Sequence, residues 1–128
     1  MKMRVDEMIA DEKKLEQVVT KFIRSIGIPL HINGYEYLRT AIMLVMVDYT
    51  KFDSVTKILY PEVAKIHHTT PSRVERSIRH AIEVAWSNMT PGTAYELFGD
   101  SGQVYSTRPT NSEFISLATD NIRVFSLS

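Results

Sequence analysis

The chain contains no cysteine, which excludes disulfide staples and thiolate metal sites. That absence fits a reducing compartment, and a cytoplasmic location is expected. Its longest apolar run, Ala41 to Val47, is far too short to cross a bilayer. Met1 to Ala10 mixes charges and lacks the apolar stretch of a secretory signal. Glycine is scarce, at 5 residues, and none is grouped into a phosphate-cradling loop. No serine or threonine stands in a nucleophile elbow, and no paired acids mark a pocket, so the chain reads as neither an enzyme nor a cofactor carrier.

Net charge is also missing: 15 basic residues cancel 15 acidic ones. This excludes a wholly basic nucleic-acid binder but not a focused patch. Residues 1 to 64 carry nine charges of each sign. From Lys65 to His80, Lys65, Arg73, Arg76 and Arg79 face Glu75 alone, with three histidines beside them. From Ala81 onward two arginines face five acids. Positive charge is therefore concentrated in one short segment.

With 128 residues and 44% hydrophobic content, the chain can bury one core. Val5, Met8, Leu15, Val19, Phe22 and Ile26 follow a heptad alternation broken at Glu12, which predicts an amphipathic helix over 5–26 ended by Gly27 and Pro29. Its N-terminal half reads as a solvated extension; self-association through this helix is the alternative. Asn33-Gly34 reads as a turn. A mostly apolar helix from Tyr35 to Tyr49 follows, its Leu38, Ile42, Val45 and Met46 at helical spacing, and is expected at the centre of the core. Tyr35, Tyr37, Tyr49 and Tyr60 are assigned to the core.

Asp53-Ser54 offers a cap for a short helix with Val55, Ile58 and Leu59. Ser87 to Gly92 is a loop, Thr93 to Phe98 a short helix, and Asp100 to Arg108 a surface loop with Val104 and Tyr105 tucked in. A last helix led by Asn111-Ser112-Glu113 turns Phe114, Ile115, Leu117, Ala118, Ile122 and Phe125 inward. The expected fold is all-α, a single domain of six or seven helices containing a helix-turn-helix, with 1–20 as a helical extension and 21–128 as the effector unit.

The motif lies at 60–86. Val63, Ala64 and Ile66 supply the apolar side of its first helix, and small Ala64 permits a close crossing. Thr69-Thr70 forms the turn, with Thr70 as N-cap and Pro71 at the first helical position; Ser72 and Glu75 offer a rival capping box. Val74, Ile78, Ala81, Ile82 and Ala85 share one arc of the second helix, while Ser72, Arg73, Arg76, Arg79, His80 and Glu83 share the other. Such a helix can bury one side and present guanidinium forks to guanine edges or phosphates. Arg73 and Arg76 lead the base-reading candidates, Glu75 is placed to discriminate, and Arg79, His80 and Lys65 complete the DNA-binding set. His67 and His68 point apart on a helix and form no metal pair with His80; capping or a phosphate contact suits them better.

The runs IPLHINGYEYLRTAI, TKILYPEVAK, TTPSRVERSIRHAIEVAW, LFG and PTNSEF resemble the C-terminal effector domain of the stage-zero sporulation response regulators of endospore-forming Firmicutes. The resemblance covers about Phe22 to Val124. It implies a helical domain that binds short boxes with a TGTCGAA-like core in double-stranded DNA, as a homodimer or as tandem protomers, and acts through RNA polymerase. It assigns DNA reading to Ser72, Arg73, Glu75, Arg76, Arg79 and His80, and a polymerase contact to the neighbourhood of Phe98. About twenty residues precede the resemblance, too few for the family's phospho-accepting receiver, so the chain reads as an excised piece or an orphan effector. Lys65-Ile-His-His68 departs from the family pattern, and family lysines near Asn33 and before Pro109 are missing or reduced to Arg108. Each lost phosphate contact lowers affinity and flattens its salt dependence. The rival reading is a protein–protein or dimerisation module on a DNA-binding fold that has lost its DNA affinity.

Overall fold

The computed structural model describes residues 4–98 and 108–127, without the side chains of residues 5, 96–98 and 125–127. Among them run seven α-helices: α1 (Val5–Ala10), α2 (Glu12–Ser25), α3 (Asn33–Val47), α4 (Tyr60–Ile66), α5 (Pro71–Asn88), α6 (Pro91–Phe98) and α7 (Asn111–Leu127). A 3-10 turn, Tyr49–Asp53, and a π turn, Val55–Leu59, join α3 to α4. The fold is all-α, with no strand among the described residues. No described helix is long and apolar enough to cross a membrane.

The single N-terminal helix expected over 5–26 is two helices. Asp11 leaves the helical conformation, and its carboxylate accepts from the Lys14 amide at 3.2 Å, capping α2. The break falls where the heptad alternation lapses. The solvated extension is also corrected, because Met8 of α1 is fully buried in the same core as Leu15, Val19, Phe22 and Ile23 of α2. That apolar stripe is consumed within the chain and is not a coiled-coil seam.

Helix α3 is the centre of the core, as its composition predicts. It packs against α2, α4, α5 and α7, and Tyr35, Leu38, Ala41, Ile42, Val45 and Met46 are buried. It begins two residues earlier than expected. Asn33-Gly34 is the first turn of the helix, and Gly34 is buried. A Cβ on Gly34 would strike the Ser77 carbonyl oxygen and sit 2.7 Å from Ala81 Cβ. The glycine therefore serves a close helix crossing with α5, not a turn.

Tyr35 and Tyr60 are buried as expected, whereas Tyr37 is half-buried and Tyr49 is 57% exposed. Ile66 is exposed too, correcting its assignment to the apolar side of the motif's first helix, and so is Ile58. Ser54 caps the π turn by accepting from the Lys57 amide at 3.1 Å. Helix α6 begins at Pro91, where Thr90 accepts from the Thr93 amide. Thr110 and Glu113 form a reciprocal capping box on α7, at 2.9 and 3.2 Å. Phe114, Ile115, Ala118 and Ile122 of α7 are buried. The expectations for Val104, Tyr105 and the Phe125 side chain lie outside the described residues.

Candidate nucleic-acid interface

Helices α4 and α5 form the expected helix-turn-helix. Val63 and Ala64 turn α4 inward against α5. The chain then leaves α4 through a tight backbone motif: the Thr69 amide donates to the Ala64 carbonyl at 2.9 Å and the His68 amide to Lys65 at 3.5 Å. His68 adopts a left-handed φ of 55°, the position that glycine ordinarily fills at such a helix end. Thr70 caps α5, its hydroxyl accepting from the Arg73 amide at 3.3 Å, with Pro71 at the first position. The Ser72–Glu75 alternative is not used.

The wheel assignment of α5 holds. Val74, Ile78, Ala81, Ile82 and Ala85 are buried, whereas Ser72, Arg73, Arg76, Arg79 and His80 are exposed and Glu75 and Glu83 are half-buried. Lys65 is exposed at the end of α4. Two grooves flank the outer side of α5. One, of about 650 Å³, lies towards the start of α3 and is walled by His31, Asn33, Tyr37, Arg73, Arg76 and His80 among others. The second, of about 590 Å³, lies towards the π turn, between Thr56, Tyr60, Ser72, Glu75, Arg76 and Arg79. Among the described residues Arg76 alone belongs to both walls, so it stands on the ridge between them.

The arginines are not equivalent. Arg79 donates to Glu75 at 3.1 Å, one helical turn away, and Arg108 pairs with Glu83 at 2.8 Å. Arg73 and Arg76 have no acidic partner among the described residues. The exposed face of α5 thus carries two guanidinium groups without an acidic partner among the described residues and one held beside a carboxylate. Asn111 of α7 steadies this end by donating to the Tyr60 hydroxyl at 3.0 Å and to the Glu75 carbonyl at 3.1 Å. Burial pushes the Tyr60 phenol above its ordinary pKa of 10.0, so it stays a neutral hydroxyl at physiological pH.

The two adjacent histidines separate. His67 Nε2 shares a hydrogen bond of 2.7 Å with Thr40 Oγ1 of α3, and its ring lies 5.1 Å from that of Tyr37. It fastens the motif to α3, while His68 is exposed in the turn. No cluster of three metal-ligating side chains occurs among the described residues. Sequence reasoning did not place His31, Asn33 or Tyr37 at this face, because only the crossing at Gly34 brings the start of α3 beside α5. Phe98 ends α6, but its side chain lies outside the described residues.

A capped helix, buried on one side and crested by unpaired arginines on the other, is the arrangement by which helix-turn-helix proteins enter a DNA groove. Residues 19–122 match the family described as sporulation initiation factor Spo0A C terminal, a transcription-factor DNA-binding family and not an enzyme family, and the chain belongs to it.

Proposed function

We propose that this DNA-binding effector domain is a sequence-specific transcription regulator that reads a short TGTCGAA-like box with α5 in the major groove. The observation that supports it best is Arg76, unpaired and raised between two grooves on the exposed side of α5. Arg73 and Arg76 read bases through bidentate contacts. Ser72, Arg79, His80 and Lys65 supply backbone and flanking contacts, and Glu75 discriminates. Residues 21–128 act as the effector unit and 1–20 as a helical extension docked on it. The family resemblance supports protomers bound in tandem or as a homodimer, RNA polymerase as partner through the region of Phe98, and a cytoplasmic site of action.

The test is fluorescence anisotropy on a labelled duplex carrying the box, beside a scrambled duplex, at two salt concentrations. Preference for the box is expected, with affinity falling as salt rises, by about 0.9 of log–log slope for each phosphate contacted. Equal or absent binding to both duplexes would sink this reading and leave a partner-binding module.

A further inference from the structure

Resting on the DNA-binding reading, we infer that His31 and His80, in their protonated forms, hold a backbone phosphate of the duplex in the groove between α3 and α5, so that binding takes up protons. The groove opens to about 650 Å³, and both imidazoles are exposed on its walls. From α5 it receives Arg73, Arg76 and His80; from α3, Asn33 and Tyr37; from the segment before α3, His31. Among the described residues no carboxylate stands on its walls, Glu36 of α3 included. The chain's other two histidines stand at the edge: His67 lies against Tyr37, and His68 precedes the wall residue Thr69.

The chain carries no net charge; Arg79 of α5 is engaged by Glu75, and Arg108, ahead of α7, by Glu83. Among the described residues the groove therefore holds two permanent cations, Arg73 and Arg76. Protonating His31 and His80 doubles that number. A phosphodiester only accepts hydrogen bonds, and an imidazolium offers two N–H donors where the neutral ring offers one. An anion beside an imidazole also favours its charged form, so phosphate and proton bind cooperatively. Affinity is then highest on the acid side, where both rings are charged. It falls as pH rises, by about tenfold per pH unit for each proton taken up.

The full chain is titrated onto the box duplex and the scrambled duplex at about pH 6 and about pH 8, at fixed ionic strength. Circular dichroism checks that the fold persists at both. Calorimetry in two buffers of different ionisation enthalpy counts the protons taken up. The Kd for the box is expected to weaken on the order of tenfold or more across this range. The double variant H31Q/H80Q is expected to lose both the pH response and the proton uptake, its box Kd being the same at about pH 6 and about pH 8. The single variant H68Q is expected to keep both.

A box Kd that is the same at both pH values overturns the inference and leaves the DNA reading intact. So does a pH response that survives in H31Q/H80Q, or one that disappears in H68Q. Failure to prefer the box at either pH, in low salt, overturns the DNA reading itself.

Discussion

Gly34 and Ala81 meet where α3 crosses α5, with no room for a methyl group between them. A Cβ on Gly34 would lie 2.7 Å from the Ala81 Cβ and strike the backbone oxygen of Ser77, which cannot rotate aside. Helix propensity favours Gly34→Ala by ~1 kcal/mol, but overpacking costs ~1–3 kcal/mol where backbone must shift. Gly34→Ala is therefore expected to lower the melting temperature by several degrees. Because the crossing also sets the groove beside His31, the variant is expected to bind DNA more weakly than its folded fraction accounts for. A melting temperature at or above that of wild type would show that the helices part without cost.

Ile78 sits at the middle of the buried stripe of α5 and is fully buried. Ile78→Asp places a carboxylate there with no partner, and the helix cannot turn it outward without burying its arginines. Loss of cooperative unfolding is expected. Ile78→Val, which trims one methylene, is expected to cost only ~0.5–1.5 kcal/mol and to retain the fold. Chemical denaturation of both variants checks the stripe.

These two positions mark how much was legible beforehand. The stripe of α5 is a local periodicity, and the Thr70-Pro71 start is local chemistry. Both could be read from neighbouring residues alone. Gly34 could not. Beside Asn33 it carries the signature of a turn, and its actual use depends on Ser77 and Ala81, more than forty residues away in the chain. The break at Asp11 was visible as a lapse in the heptad, but a capping carboxylate and a missing apolar residue leave similar marks. The site divides in the same way. The arginine face of α5 followed from spacing, whereas the wall of His31, Asn33 and Tyr37 exists only once α3 is docked. The partition of the arginines into free and paired needed side-chain positions.

His68 offers a test of the turn separate from the core. Its φ of 55° is a left-handed conformation that costs an L-residue ~1–2 kcal/mol. Glycine removes that cost but returns ~0.4–1 kcal/mol to the unfolded chain as entropy. His68→Gly is thus expected to stabilise the protein by ~0.5–1 kcal/mol, read from denaturant midpoints at an unchanged slope. Destabilisation would mean that the side chain holds the turn by a contact worth more than the strain.

Arg76→Ala removes the guanidinium on the ridge between the two grooves. The expected loss on the box duplex is ~1–3 kcal/mol, with a smaller loss on a scrambled duplex, so that discrimination narrows. Competition binding with both duplexes reads the two terms. Equal losses would place Arg76 on phosphate and return base reading to Arg73.

Glu75→Gln tests the partition from the other side. Glu75 is the carboxylate that engages Arg79, at 3.1 Å across one turn of α5. Both side chains are partly exposed, so their mutual attraction is screened and contributes ~0.2–1 kcal/mol at most. Stability is therefore expected to change little. Binding is expected to change more, because the substitution frees a cation and removes an anion on the same face. Affinity for any duplex rises as a result, and its salt dependence steepens. The gain is non-specific, since phosphates are present on every sequence, and the ratio of box to scrambled binding falls. Arg76→Ala and Glu75→Gln thus both erode specificity, one by weakening the box and the other by strengthening everything else. Weaker binding of both duplexes by Glu75→Gln would mean instead that Glu75 orients Arg79 for its contact, and that the ion pair belongs to the bound state.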